Sequence, residues 1–129
     1  MKKILVVDDS AVQRKMVIQI IQKAGFGNEI LEAGDGAIAI ETLATNFEDV
    51  ALVLCDWNMP NMSGLEFIQA VAQVPAVSEI PVVMVTTEGT EEKIAEAKAA
   101  NPNLAGYIAK PFTPDVLSST ITPILEAAE

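Results

Sequence analysis

Five side chains with chemically useful groups each follow a short apolar run of the sequence. They are Asp8, Asp9, Asp56, Thr86 and Lys110. Each alone has an ordinary structural explanation, because an aspartate after a strand more often forms a turn or a helix cap than a ligand site. If the apolar runs are parallel strands of one sheet, however, the five side chains meet at one edge. Three carboxylates, one hydroxyl and one ammonium group then form a candidate site.

Three carboxylates gathered at one edge need a compensating positive charge. At a separation of about 5 Å and an effective dielectric constant of about 20, each pair repels by about 3 kcal/mol. Mg²⁺ suits such a site, because it binds a few carboxylates together with phosphate oxygens and keeps several waters. The sequence therefore predicts that Asp8, Asp9 and Asp56 hold Mg²⁺.

A carboxylate beside Mg²⁺ can also act as a nucleophile and form an aspartyl phosphate. Phosphoryl transfer needs little from a protein beyond positioning and neutralisation of charge. The ammonium group of Lys110 can neutralise one phosphoryl oxygen, and the hydroxyl of Thr86 can donate to another. The set thus contains the parts that phosphorylation of an aspartate requires.

The apolar runs that must position these side chains have the length of β-strands. The runs Ile4–Val7, Val50–Cys55 and Val82–Val85 are almost continuously apolar, as is typical of strands covered on both faces. Two further runs, Glu29–Ala33 and Leu104–Ala109, complete the predicted strands. We therefore expect the first, third and fourth strands to be covered on both faces.

Segments with apolar residues at helical spacing separate the strands. Residues that cap helices mark where four of them begin: Asp35, Ser63, Thr90 and Thr113, the last followed by a proline. The predicted helices are Val12–Ala24, Ala37–Phe47, Gly64–Val74, Glu91–Ala100 and a last helix that begins at Pro114.

Strand and helix alternate five times, which predicts an α/β fold with helices on both faces of a parallel sheet. Right-handed crossovers leave few topologies, and the order 2-1-3-4-5 is common for a doubly wound, flavodoxin-like sheet of five strands. Ligands of such sheets bind beyond the carboxyl ends of the strands, near the switch point between strands 1 and 3. No repeat or linker interrupts the pattern, so we expect a single domain over residues 1–129.

Composition excludes several classes of function. The absence of histidine removes histidine-based triads, most zinc sites and a role as a phosphohistidine carrier. A formal net charge of −10 argues against direct binding of nucleic acid. The apolar runs are too short to span a bilayer or to form a signal peptide, so we expect no membrane insertion and a cytoplasmic location. The single cysteine, Cys55, is expected to be a small buried hydrophobe.

Four segments resemble the receiver domain of two-component response regulators, and within that family the stand-alone, chemotaxis-type members. The segments are Ile4–Ser10, Asp56–Glu66, Ile80–Thr86 and Gly106–Phe112. They occur in the order and spacing of the family, and the resemblance extends over essentially the whole chain. Because the family has the strand order 2-1-3-4-5, our prediction of that order is not independent of the resemblance.

The resemblance implies a role for each candidate residue. Asp56 is then the phospho-acceptor, Asp9 the direct metal ligand and Asp8 its water-mediated neighbour. The backbone carbonyl of Asn58 completes the protein ligands of Mg²⁺. Lys110 pairs with the phosphoryl group.

The resemblance also implies a switch. Thr86 is its hydroxyl, and Tyr107 is the aromatic residue that changes rotamer when Thr86 moves toward the phosphate. Asn58 and Glu88 lie two residues beyond Asp56 and Thr86, at positions that tune hydrolysis of the phosphoryl bond in this family. The pair resembles the chemotaxis type, for which we expect a short-lived phosphorylated form.

The implied partners are a sensor histidine kinase, as phosphodonor, and a downstream target protein. The target is expected to bind the surface of helix 4, strand 5 and helix 5. The resemblance implies a regulator that catalyses only its own phosphorylation and dephosphorylation, and that is a monomer or a weak, phosphorylation-dependent dimer.

Several residues depart from the family pattern. The segment Asn101–Leu104 replaces a glycine-containing loop after helix 4. Pro123 lies inside the last helix, where it removes a hydrogen bond and should kink or shorten the helix. Thr120 and Pro123 stand where chemotaxis-type members have lysines, so the signalling surface is less basic. The family has a cis peptide at the position of Lys110–Pro111.

Three other interpretations fit parts of the sequence. A receiver module of a larger regulator is one, although the start at Met1 and the end soon after the last helix favour a stand-alone protein. A haloacid-dehalogenase-like phosphohydrolase would carry Asp-x-Asp after strand 1, where this chain has adjacent Asp8 and Asp9. A flavodoxin-like flavin carrier would need a hydroxyl- and glycine-rich phosphate loop there.

Overall fold

A computed structural model describes residues 2–128 of the chain and shows alternating strands and helices. The strands are β1 (Lys3–Val7), β2 (Ile30–Ala33), β3 (Val50–Cys55), β4 (Val82–Thr86) and β5 (Leu104–Ala109). The helices are α1 (Ala11–Lys23), α2 (Gly36–Asn46), α3 (Gly64–Gln73), α4 (Glu91–Ala100) and α5 (Pro114–Ala128). A short 3₁₀ turn, Phe47–Asp49, leads from α2 into β3.

The five strands form one parallel sheet in the order β2-β1-β3-β4-β5. This order and the doubly wound α/β class confirm the prediction. Every residue of β3 and β4 is buried, as are residues 4–7 of β1, whereas β2 and β5 are partly exposed edges. The nearly continuous apolar runs therefore mark the interior strands, because both of their faces are covered.

Two hydrophobic cores cover the two faces of the sheet. Successive residues of a strand point to opposite faces, so Leu5 and Val7 enter one core while Ile4 and Val6 enter the other. The first core receives apolar residues of α2, α3 and α4, and the second receives those of α1 and α5. Full burial of one such side chain contributes about 1.5–3 kcal/mol. The cores fix the strands in register and leave their carboxyl ends free for chemistry.

The predicted caps are confirmed where the structure gives their hydrogen bonds. Asp35 accepts from the N–H of Ile38 at 2.8 Å, and Thr90 accepts from Lys93 at 3.2 Å. Ser63 accepts from Glu66, whose carboxylate accepts in turn from the N–H of Ser63. This reciprocal pair satisfies two donors at the start of α3. Strand and helix bounds differ from the predicted ones by at most one residue.

Two departures from the family pattern have specific local structures. Pro123 was expected to kink or shorten α5; the helix continues past it to Ala128 and is not shortened, while the kink stays a prediction. Asn101 ends α4 and is buried. Its amide donates to the carbonyl of Ile68 at 3.0 Å, and its side-chain oxygen accepts from the N–H of Asn103 at 3.0 Å. Hydrogen bonds of Asn101 thus order the loop that lacks glycine.

No helix within residues 2–128 has both the length and the apolar character that crossing a membrane requires.

Candidate functional site

The carboxyl ends of the strands bring the predicted site residues together. Asp8 and Asp9 follow β1, Asp56 follows β3, Thr86 is the last residue of β4 and Lys110 follows β5. Backbone hydrogen bonds continue the sheet into these positions: the N–H of Asp56 donates to Val7 at 2.9 Å, and that of Lys110 donates to Thr86 at 2.8 Å. Continuous pairing therefore places side chains from distant parts of the sequence at one edge.

Three carboxylates form a tight cluster at this edge. One oxygen from each of Asp8, Asp9 and Asp56 lies within 4.8 Å of the others. Asp8 is buried, Asp56 is half-buried and Asp9 is exposed, so the cluster opens toward solvent on one side. Hard oxygen donors in a partly open arrangement are compatible with a divalent cation such as Mg²⁺ or Mn²⁺.

Lys110 supplies the positive charge that partly offsets the cluster. Its Nζ lies 2.9 Å from Asp8 Oδ2 and 3.4 Å from Asp56 Oδ2. Within residues 2–128 Asp9 makes no salt bridge. Three carboxylates and one ammonium group leave a formal charge of −2 (−3 + 1) at a partly dehydrated edge. A dication would neutralise that remainder, so the electrostatics fit the predicted site.

A cleft of about 510 Å³ opens over the cluster. Besides the acidic residues and Lys110, its walls include Ser10, Gln13, Thr87 and Phe112. The sequence analysis assigned no role to Gln13 or Phe112. The sequence hints at a role for these two residues only through their positions: Gln13 lies in the first turn of α1, and Phe112 lies two residues after Lys110. The cleft makes the carboxylate of Asp56 accessible to another molecule.

The Asp56 carboxylate is held in a defined orientation. Its Oδ1 accepts from the N–H of Trp57 at 2.6 Å, and its Oδ2 faces Lys110. Cys55, on the other side of Asp56 in sequence, is fully buried as predicted. Burial, followed by the charges of Asp56 and Asp8, raises the pKa of the Cys55 thiol well above its usual value, so that the thiol stays neutral. Asp56 is therefore the accessible reactive group of this segment.

Thr86, Glu88 and Tyr107 form a connected group behind the cleft. The Thr86 side chain is fully buried, and its hydroxyl oxygen accepts from the N–H of Glu88 at 3.3 Å. The half-buried Tyr107 donates its hydroxyl hydrogen to the carbonyl of Glu88. Both residues thus contact the backbone of Glu88 in the loop after β4, one at its N–H and the other at its carbonyl.

The environment of Tyr107 raises its pKa to about 12, chiefly through burial and secondly through the charge of Glu88. The folded protein then holds this proton more tightly than the unfolded chain, in which tyrosine titrates near pH 10. The resulting stabilisation is complete below about pH 10 and is lost as the pH rises toward 12. Since Tyr107 is the only tyrosine, an absorbance titration of tyrosinate reports it directly. A midpoint near pH 10 in the folded protein would contradict the described contact.

The remaining predicted site residues lie on loops beside the cluster. Asn58 is exposed in the loop between β3 and α3, and Glu88 is half-buried in the loop between β4 and α4. The ligand role of the Asn58 carbonyl stays a prediction, as do the tuning roles of Asn58 and Glu88. The peptide between Lys110 and Pro111 is cis.

One contact beside the site is not predictable from the sequence. Asn61 has a left-handed backbone conformation, with φ of 67°. Its amide donates to Asp35 Oδ2 at 2.9 Å, while the other oxygen of Asp35 caps α2. The asparagine in a loop and the capping aspartate were each visible in the sequence, but their pairing depends on how two loops meet.

Comparisons with known proteins identify the family of the chain. The family model described as the response regulator receiver domain matches residues 4–122. A chemotaxis protein CheY homolog of Campylobacter jejuni is 40% identical over 123 residues, which cover 95% of this chain and 92% of that protein. Chemotaxis protein CheY1 of Helicobacter pylori is 39% identical, with coverage of 95% and 96%.

Solved structures give the same result. Chemotaxis protein CheY4 of Vibrio cholerae, crystallised at low pH, superimposes with a TM-score of 0.84 at 37% identity, covering 97% of this chain and 99% of the other. These similarities do not favour a phosphohydrolase or a flavin carrier. The chain belongs to the response regulator receiver domain family and is a response regulator of two-component signal transduction.

Proposed function

We propose that residues 1–129 form a single receiver domain that is phosphorylated on Asp56 in a Mg²⁺-dependent reaction. The observation that carries the proposal is the convergence of Asp8, Asp9, Asp56 and Lys110 at one edge of the sheet, under an open cleft. A sensor histidine kinase supplies the phosphoryl group. The similarity to proteins named for chemotaxis supports a role in chemotaxis signalling in the cytoplasm.

Asp56 is the nucleophile of the proposed reaction. One of its carboxylate oxygens attacks the phosphorus of a phosphohistidine; the new P–O bond forms as the P–N bond breaks, and the imidazole leaves with the electron pair. The N–H of Trp57 orients the carboxylate for this attack. Lys110 stands within 3.4 Å of the attacking group, where it can donate to a phosphoryl oxygen. When bound, Mg²⁺ supplies neutralisation of phosphoryl charge.

Asp8, Asp9, one oxygen of Asp56 and the carbonyl of Asn58 are the residues that would hold Mg²⁺. Asp8 is already fixed, because its Oδ1 accepts from the N–H of Ser10 at 2.9 Å and its Oδ2 accepts from Lys110. Asp9 is exposed and free of salt bridges within the described chain. This difference supports direct coordination by Asp9 and a water-mediated role for Asp8.

Phosphorylation is expected to act by shifting an existing equilibrium. A phosphoryl group adds negative charge and acceptor oxygens beside Asp56. The Thr86 side chain is fully buried and its hydroxyl oxygen accepts from the N–H of Glu88, so a shift of Thr86 toward the phosphoryl group, where its hydroxyl would donate, favours a second conformation. The displaced loop then alters Tyr107 and with it the surface of α4, β5 and α5. We propose that a downstream target binds this surface, and that the protein is a monomer or a weak, phosphorylation-dependent dimer.

Tryptophan fluorescence tests the proposal directly. Trp57, the only tryptophan, is buried next to Asp56, and the ammonium group of Lys93 lies 5.0 Å from its ring. We expect a fluorescence change on titration with Mg²⁺ and a further saturable change with beryllofluoride, a mimic of the phosphoryl group. The Asp56→Asn variant should weaken both responses. If neither ligand changes the fluorescence of the wild-type protein, Asp8, Asp9 and Asp56 do not form a working site.

Replacement of Tyr107 by alanine should separate phosphorylation from its output. The Trp57 response to beryllofluoride should persist, because the hydroxyl of Tyr107 bonds the carbonyl of Glu88 and none of the carboxylates of the cluster. In nuclear magnetic resonance spectra, the accompanying shifts of α4 and α5 amides should largely disappear, since Tyr107 connects the loop at Glu88 to β5. Equal loss of both responses would contradict the switch role.

Asn58→Ala and Glu88→Ala should each slow loss of the phosphoryl group. Each removes a polar group able to hold the attacking water, and one hydrogen bond worth about 1 kcal/mol corresponds to about a fivefold change in rate. The measurement is the half-life of labelled phosphate on the protein after the donor is removed. If both variants decay at the wild-type rate, the tuning roles are wrong.

A further inference from the structure

The loop between β3 and α3 is attached to the start of α2 by two neighbouring residues. The Asn61 amide donates to Asp35 Oδ2 at 2.9 Å. The next residue, Met62, packs so closely on Gly36 that a Cβ there would lie 2.7 Å from the Met62 side chain. These contacts join segments about 26 residues apart in sequence. The loop is therefore docked against another strand–helix connection rather than free in solvent.

Asp35 is suited to hold this loop in a single position. It is only 8% exposed, and both of its oxygens are used, one by the N–H of Ile38 and the other by Asn61. The Ile38 N–H, followed by the Asn61 amide, holds the pKa of Asp35 below its usual value. The carboxylate thus remains charged at neutral pH and keeps both hydrogen bonds.

The same loop contains the backbone carbonyl proposed as a metal ligand. Asn58 lies three residues before Asn61 and is itself exposed, as are Pro60 and Asn61. At the end of the loop, the N–H of Gly64 donates to the carbonyl of Trp57 at 2.7 Å. The hydrogen bond between Asn61 and Asp35 holds the exposed part of the loop, together with the packing of Met59 and Met62 against the core. Without this bond, the loop would have to become ordered when the metal binds, and the conformational entropy lost would weaken metal binding.

We infer that Asp35 and Asn61 are positioning residues that hold the carbonyl of Asn58 in place for the divalent cation. This inference rests on the proposed Mg²⁺ site. Neither side chain need touch the metal; the pair acts by keeping the loop in its bound conformation before the metal arrives. A loop that is already ordered costs less free energy on binding.

Substitutions that preserve the backbone test the inference. Asn61→Gly removes the amide but tolerates the left-handed conformation, and it should raise the Kd for Mg²⁺ about tenfold. The double exchange Asp35→Asn/Asn61→Asp restores a donor opposite an acceptor without changing net charge. It should bind Mg²⁺ within about threefold of the wild-type protein, because the two changes compensate. Trp57 fluorescence, checked by calorimetry with the metal alone, gives the Kd values.

A matched control separates positioning from general stability. Asn28 is 8% exposed and donates through its side chain to the carbonyl of Lys2 at 2.7 Å, at the opposite end of the sheet. Asn28→Ala should lower Tm without changing the Kd for Mg²⁺. The inference is overturned if Asn61→Gly binds Mg²⁺ as tightly as wild type, or if the double exchange binds as weakly as Asn61→Gly. A wild-type protein that does not bind Mg²⁺ overturns the proposed function as well.

Discussion

Replacement of Gly64 by alanine is expected to lower the free energy of unfolding by about 3 kcal/mol or more, with a fall in Tm of about 10 °C or more. A Cβ at this position would lie 2.0 Å from the carbonyl oxygen of Asp56 and 2.8 Å from the Cα of Trp57. Both are backbone atoms of the segment that contains the acceptor, so no side chain can move aside to make room. Either α3 shifts outward or the Asp56 carboxylate moves from the cluster.

Gly34→Ala is the matched control, because Gly34 follows β2 at the same edge of the sheet. A Cβ there would meet only the Arg14 side chain, at an ordinary distance of 3.7 Å. Its effect on unfolding should stay within about 1 kcal/mol. Thermal or denaturant unfolding of the two variants, followed by Trp57 fluorescence, makes the comparison. If Gly64→Ala is as stable as Gly34→Ala, the close approach of α3 to Asp56 does not exist.

The sequence was most informative where burial determines structure. The strands buried on both faces are predictable because such a strand must be apolar at nearly every position. Helix starts were recognised because Asp35, Ser63 and Thr90 each satisfy free N–H groups with a side-chain oxygen. Parallel topology then placed Asp8 and Asp56 at one edge. These local and topological rules need no knowledge of how loops pack.

The sequence was least informative where two loops or a loop and a strand meet. The bond between Asn61 and Asp35 depends on the relative position of two connections, which no local pattern encodes. The contact of Tyr107 with the carbonyl of Glu88 depends on a rotamer and a loop conformation. Gly64 was expected only as the first residue of a helix, whereas its contact with the Asp56 backbone requires the packed structure.

Replacement of Lys110 by methionine should destabilise the metal-free protein and strongly slow its phosphorylation. The methionine keeps the approximate length of the side chain but leaves three clustered carboxylates without their cation. Lys110 and Asp8 are largely buried, with exposed side-chain fractions of 13% and 7%. Loss of one partner of such a pair costs about 3 kcal/mol. Loss of a donor to the transferring group should lower phosphorylation of Asp56 by about a hundredfold or more.

Mg²⁺ distinguishes the two functions of Lys110. Because a dication can replace the missing charge, Mg²⁺ should raise the Tm of Lys110→Met more than that of the wild-type protein, yet it should not restore phosphorylation.

Asp9→Asn should behave in the opposite way: it relieves repulsion and raises the metal-free Tm, but it removes the stabilisation by Mg²⁺. Thermal unfolding with and without Mg²⁺, together with labelling by a small phosphodonor, measures these effects. An unchanged metal-free Tm in Lys110→Met would show that the carboxylates do not depend on this lysine, and normal labelling would exclude it as the donor to the phosphoryl group.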